Sequence, residues 1–149
     1  MMNEGLGVGL PFSWPVRVYW EDTDAGGVVY HASYLRFFER CRSEWLRSLG
    51  FAQERIRQES DRVFAIRSMH TEYRRATRLD DELDVRLEQV RVGLASLDFQ
   101  QAIFRRGEDQ PVASAEVRAG CLVASSFRPA RLPESFRQRL LDELKAGAG

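Results

Sequence analysis

Trp20-Glu21-Asp22-Thr23-Asp24-Ala25-Gly26-Gly27-Val28-Val29-Tyr30-His31-Ala32-Ser33-Tyr34 runs without a break into Leu35–Leu49 and ends at Gly50. The first half of this stretch is a turn, with acidic residues, a Gly pair and a His but no apolar period. The second half has such a period. At about 100° per residue, Tyr34, Phe37, Phe38, Cys41, Trp45, Leu46 and Leu49 share one side of a helix, and Arg36, Arg40, Ser43 and Arg47 share the other. Ser33 is placed to cap the start, and Gly50 to supply the left-handed residue past the end. A carboxylate-bearing Gly loop therefore feeds the positive end of a long, half-apolar helix.

Working outward, Trp14-Pro15-Val16-Arg17-Val18-Tyr19-Trp20 alternates, with Val16, Val18 and Trp20 on one face, and predicts a first strand. Pro15 restricts that strand to an edge, or itself to the strand's beginning. After the helix, Gln53–Gln58 suits a second short helix. Strand-like runs follow with no helix between them. Val63–Arg74 places Val63, Ala65, Met69, Thr71 and Tyr73 on one face, and Glu82–Val92 places Leu83, Val85 and Leu87 together. Ser96–Arg105 aligns Leu97, Phe99 and Ile103, and Gly107 marks the turn after it. Val112–Ala124 aligns Ala113, Ala115, Val117, Ala119, Cys121 and Val123, small enough to let a helix lie close. Phe136, Leu140 and Leu144 space a C-terminal helix, with Gly147–Gly149 expected to fray.

One antiparallel sheet with a single long apolar helix must curl around that helix to bury it. The expected fold class is α+β, as one domain over 1–149 with a loose extension over 1–13. Such a sheet leaves an edge and a face uncovered, which predicts pairing with a second copy as a homodimer or homotetramer.

The 149 residues can bury a substantial core. Lys+Arg and Asp+Glu are both 22, so no global basic field recruits nucleic acid. Cys41 and Cys121 sit inside apolar patterns and read as reduced residues of a cytoplasmic protein. Met1–Pro11 has neither a basic region nor a long apolar run, so neither a signal peptide nor a membrane span is expected. Two separated His and no Cys cluster offer no metal site. There is no Gly-x-Ser-x-Gly elbow and no phosphate-binding Gly loop, and no cofactor is expected.

The remaining chemistry is acyl transfer. A helix N-terminus offers N–H groups where an oxyanion develops, and a nearby carboxylate can serve as base or nucleophile. The string from Asp22 to Tyr34, followed by Phe37-Phe38-Glu39-Arg40-Cys41-Arg42, resembles the hotdog-fold acyl-CoA thioesterases of the 4-hydroxybenzoyl-CoA thioesterase family. Within it, the chain is most similar to the small bacterial thioesterases associated with the Tol–Pal envelope system (YbgC-type). The resemblance extends through Val63–Asp81 and Glu116–Val123. It implies a hotdog fold, hydrolysis of a thioester carried on CoA or on acyl carrier protein, and a homo-oligomer.

Read from residues alone, Asp24 is a turn-former or cap; the resemblance aligns it with the family's catalytic aspartate, the second Asp of Asp-x-Asp. Asp22 reads as a loop residue bonding backbone. His31 reads from its position as structural; the resemblance implies that its backbone N–H polarises the thioester carbonyl, with the imidazole as orienter or proton donor the alternative. Gly26 and Gly27 give the turn its freedom beside substrate. Tyr30 either lines the acyl pocket or belongs to the core. Glu39 and Glu44 must be weighed, because another branch of the superfamily carries its catalytic carboxylate on the helix. With Asp24 in the loop, solvation or a dimer contact suits them better. Arg42 falls within the apolar arc and either snorkels or pairs with a loop carboxylate. His70, expected on the face of Phe64 and Ile66, reads as a packing residue.

Arg74, Arg75 and Arg78 form a basic cluster. The resemblance implies CoA phosphates near the subunit edges, which Arg holds bidentately. Here the chain departs from its relatives. It carries Arg74-Arg75-Ala76-Thr77 in place of their apolar or Pro-containing step before Arg78–Asp81. Two other classes compete with hydrolysis. A hotdog dehydratase pairs a His with an acid at other positions. A non-catalytic acyl-thioester or carrier-binding module of the cell envelope machinery has no need of Asp24.

Overall fold

The computed structural model describes residues 10–148. Strand β1 (Phe12–Arg17) leads through a short 3-10 turn (Trp20–Asp22) into the loop before helix α1 (His31–Ser48). Helix α2 (Gln53–Ser60) is followed by β2 (Arg62–Tyr73), β3 (Glu82–Val92), β4 (Ser96–Arg105), β5 (Pro111–Val123) and helix α3 (Glu134–Ala148). The strands form one sheet in the order β1-β3-β4-β5-β2, every pairing antiparallel. This sheet curls around α1 in the hotdog arrangement.

β1 begins at Phe12 rather than Trp14, because Phe12, Trp14 and Val16 continue one inward alternation against the core. Of the loose extension expected over 1–13, Phe12 and Ser13 are therefore strand, paired with Leu87 and Arg86, and residues 1–9 lie outside the described residues. Val18 is buried, but Trp20 leaves the inward face with the 3-10 turn and is 78% exposed. Pro15 sits mid-strand, which only an edge permits.

Register shifts in β2 and β3 decide which side chains face the helix. One lies between Ile66 and Ser68, opposite a continuous β5. The extra residue turns the strand over, so Phe64 opposite Cys121 and Met69 opposite Val117 both reach the core. Val63 and Ala65 consequently do not share the face of Met69. His70 lies opposite Glu116, exposed and 3.3 Å from Glu72 Oε2, away from Phe64. The second shift, between Leu87 and Gln89, extends the inner face of β3 from Leu83, Val85 and Leu87 to Val90 and Val92.

Tyr34, Phe37, Phe38, Cys41, Trp45, Leu46 and Leu49 are all buried, and each contributes about 1.5–3 kcal/mol as an upper estimate of hydrophobic stabilisation. Ala113, Ala115, Val117, Ala119 and Cys121 are buried on the facing side of β5. Burial pushes the Cys41 thiol up to about 12, and Sγ lies 3.4 Å from the Val85 carbonyl. Gly50, at φ +92°, returns its N–H to the Arg47 carbonyl at 2.9 Å, and Phe51 returns its own to Leu46 at 2.9 Å. This is a Schellman closure. α3 runs on to Ala148, through the Gly147 expected to fray, while Gly149 lies outside the described residues. Its Phe136 packs on Phe51 and Phe64, with ring centroids 4.7 and 5.8 Å apart. Among the described residues no helix is long and apolar enough to cross a membrane.

Candidate active site

The chain entering the loop is held from one side. Val18 donates to the Asp81 carbonyl and accepts from the Asp80 N–H, both at 3.0 Å. Asp22 follows, buried at 4% exposure. Its Oδ2 accepts the Tyr19 N–H at 2.8 Å, and Oδ1 lies 3.9 Å from Arg36 Nη2. Its carbonyl accepts the Tyr30 N–H at 2.9 Å and the Ser33 hydroxyl at 3.2 Å. Asp22 is thus fully engaged in fastening the loop's two ends, the structural role expected of it.

Thr23 and Val29 then pair across a narrow loop. Asp24 donates its N–H to Val28 at 2.9 Å, and Gly27 donates to the Asp24 carbonyl at 3.0 Å. Gly27 takes φ +81°, which a side chain rarely adopts. The Gly26 N–H bonds Asp24 Oδ1 at 2.8 Å, and a Cβ on Gly26 would lie 3.2 Å from that oxygen. Asp24 itself is exposed, and its Oδ2 accepts no hydrogen bond from the described residues. Two carboxylates two residues apart therefore differ in their surroundings. One is buried, bonded to the Tyr19 N–H and near Arg36, and the other is exposed and oriented by a single N–H.

His31 opens α1. Tyr30 precedes it at φ −63° and ψ 134° without a side-chain cap, and Ser33, expected as the cap, is inside the helix. Ser33 donates its N–H to the Tyr30 carbonyl at 2.8 Å and its hydroxyl to the Asp22 carbonyl at 3.2 Å. The N–H groups of His31 and Ala32 have no intrahelical acceptor, as at any helix start. The exposed His31 ring stacks with Tyr30 at 4.5 Å and meets Tyr73 edge-on at 6.1 Å. The Tyr73 hydroxyl donates to the His31 carbonyl at 3.2 Å.

Asp24, Gly26, Gly27, Tyr30 and His31 thus meet at one loop-to-helix junction. The basic cluster divides. Arg78 joins the junction through its backbone bridge to Val28. Arg74 donates to Glu72 at 2.7 Å, and Arg75 lies 3.6 Å from Glu108. Glu39 accepts the Ser43 hydroxyl and Glu44 pairs with Arg47; Glu39 sits about 12 Å along the helix axis from His31, too far to share its site.

Arg42 neither snorkels nor meets a loop carboxylate. At 7% exposure it donates to Gln101 Oε1 at 3.0 Å and stacks over Phe99, and Gln101 in turn donates to the Phe38 carbonyl at 3.0 Å. Burial lowers its pKa against an opposing pull from Glu39. The helix turn facing β4 simply aims it at an amide. Phe64 packs on Phe136. A groove of about 720 Å³ runs across the sheet past His70, Gln100 and Arg118 and includes no residue from Asp24 to His31. The carboxylate, the Gly turn and the helix start therefore lie outside this groove.

Tyr34, the last residue of the quoted string, also reaches the junction, as do Thr77 and Tyr73, which no sequence motif marks. Tyr34 has burial pushing its hydroxyl up, so the group stays neutral and bonds Thr77 at 2.6 Å. The one available signal was negative: a Tyr at the edge of an apolar arc needs a partner for its hydroxyl.

Residues 18–140 match the family described as the Thioesterase-like superfamily. The acyl-CoA thioester hydrolase YbgC of Escherichia coli O6:H1 is 46% identical over 125 residues, covering 84% of this chain and 92% of that protein. The acyl-CoA thioesterase YbgC of Haemophilus influenzae is 41% identical over 126 residues, covering 85% and 91%. Among solved structures, a probable thioesterase from Bartonella henselae superposes with a TM-score of 0.75 at 33% identity, covering 81% of this chain and 98% of that one.

Proposed function

The chain belongs to the thioesterase-like superfamily, and we infer that it is an acyl-CoA thioester hydrolase. The observation that carries the site assignment is the open Asp24 carboxylate, turned by the Gly26 N–H, on a loop that runs directly into an uncapped helix start. In this reading the thioester carbonyl sits over the first turn of α1, its oxygen toward the His31 N–H. Asp24 takes a proton from water as the water adds to the carbonyl carbon. The C–S bond then breaks, CoA leaves as thiolate and is protonated, and the acid is released. Tyr30 borders the acyl group, Gly26 and Gly27 let backbone approach it, and Arg78 receives a CoA phosphate, with Arg74 and Arg75 behind it.

The 12-residue strand β2 is an exposed sheet edge without Pro, which supports pairing with a second copy as a dimer or as half of a tetramer. A partner along β2 would border the loop-to-helix junction, since Tyr73 of β2 meets His31. Free, buried Cys41 and Cys121 support a reducing, cytoplasmic setting, and the resemblance of the Asp22–Tyr34 string to the Tol–Pal-associated thioesterases supports a place beside that machinery. A thiol-release assay across acyl chain lengths, on CoA and on acyl carrier protein, tests the activity and fixes the carrier. Light scattering on the same samples tests assembly, and an active monomer at micromolar concentration overturns the composite site.

A further inference from the structure

Thr77 is fully buried, at 0% exposure, and touches both halves of the junction. Its Oγ1 lies 2.6 Å from the Tyr34 hydroxyl in the first turn of α1. Its carbonyl accepts the Val29 N–H, in the loop, at 2.8 Å. The next residue, Arg78, bridges Val28. The segment that carries Thr77 is fixed from the sheet. Arg105 of β4 donates Nη2 to the Ala76 carbonyl at 2.7 Å and Nε to the Asp81 carboxylate at 3.3 Å. The same Asp81 oxygen accepts the Arg78 N–H at 2.9 Å. Residues 76–81 therefore form an irregular strut, bonded at one end to β4 and at the other to the loop and the helix. The helix start has no side-chain cap of its own, so these bonds hold it from outside.

We propose that Thr77 is a positioning residue for thioester hydrolysis: by holding Tyr34 and Val29 at once, it sets the separation between the Asp24 carboxylate and the N–H groups at the start of α1. The assignment rests on the reading of those groups as the hydrolytic site. A satisfied buried polar pair rigidifies what it joins, and a displacement of about 1 Å between reacting groups costs on the order of 100-fold in rate. The hydroxyl is the part of Thr77 that sequence patterning does not require, since Val would fill the same space.

Thr77→Val keeps the shape and the carbonyl but removes the hydroxyl, and Tyr34→Phe removes its partner. Each should lower kcat on a short-chain acyl-CoA by about 10- to 100-fold with KM held within about threefold. The double variant should fall no further, because both changes break one bond. Thr77→Ser, which keeps the hydroxyl, should recover most of the loss. Independently of turnover, amide exchange at Val29 and Gly27 should quicken about tenfold in Thr77→Val while amides of β3, β4 and β5 keep their protection. Wild-type kcat in Thr77→Val, or a loss that follows a lowered Tm and sheet-wide exchange, overturns the proposal. A wild-type chain that hydrolyses no acyl-CoA overturns the hydrolase reading instead, and the exchange pattern still decides whether Thr77 holds the junction.

Discussion

At its C-terminal end α1 closes on itself. Gly50 and Phe51 return their N–H groups to Arg47 and Leu46, and Leu49 folds into the core behind them. At its N-terminal end the helix does the reverse. Tyr30 supplies no cap, Ser33 turns its hydroxyl to the Asp22 carbonyl, and the first N–H groups have no intrahelical acceptor. An absent cap costs about 1 kcal/mol, so the open end is the one with less local stability of its own. The closed end needs only its own backbone. The open end needs a loop, a strut and an edge strand to keep its shape.

The sharpest way to break this contrast is to neutralise Asp24. Asp24→Asn should lower kcat by about two to four orders of magnitude while acyl-CoA binding and Tm stay near wild type. Near-normal turnover would remove the open end from the chemistry. A single turnover in ¹⁸O-labelled water sharpens it further: label found in Asp24 marks a covalent anhydride, and an unlabelled carboxylate marks the general base favoured here.

At the closed end, Gly50→Ala should cost about 1–2 kcal/mol in denaturant unfolding, because Cβ opposes φ +92°, with kcat unchanged. A fall in kcat would show that the two ends are coupled. Returning to the open end, Arg78→Ala should raise the KM for acyl-CoA by about three- to tenfold at low salt, with less effect at high salt and little change in kcat. Larger effects from Arg74→Ala or Arg75→Ala would move the phosphate away from the loop. The smallest change belongs to His31→Ala, which keeps the backbone N–H and should lower kcat by about threefold. A loss matching that of Asp24→Asn would assign the imidazole a proton-transfer role.

The helix was legible because a 3.6-residue period survives every local irregularity, and Tyr34 to Leu49 bury as the wheel requires. The strands were legible as strands, but their faces were not. A period of two is reversed by one inserted residue, and nothing in Arg67 or Glu88 marks an insertion, so Phe64 and His70 were assigned to the wrong sides. Asp24, Gly26, Gly27, Tyr30 and His31 were legible as candidates because they lie within one short stretch of chain. Arg42 was misassigned because its partner, Gln101, lies across the core. Thr77 escaped for the same reason: its importance lies in reaching Tyr34 and Val29, and distance along the chain conceals both contacts.

The order of elements along the chain carries a further consequence, for the protein while it is being made. α1 is synthesised before β3, β4 and β5, the strands that cover its apolar face, and β2 must wait for β5, since Arg62 pairs with Val123. At about 5–20 residues per second, on the order of ten seconds separates the appearance of Leu49 from that of Val123. Through that interval Phe37, Phe38 and Trp45 have only β1 and their own neighbours to pack against, and the long β2 edge is unpaired on both sides. The nascent chain therefore presents one amphipathic helix and one bare strand, the two shapes that chaperones and stray chains bind most readily, until the last strand leaves the ribosome.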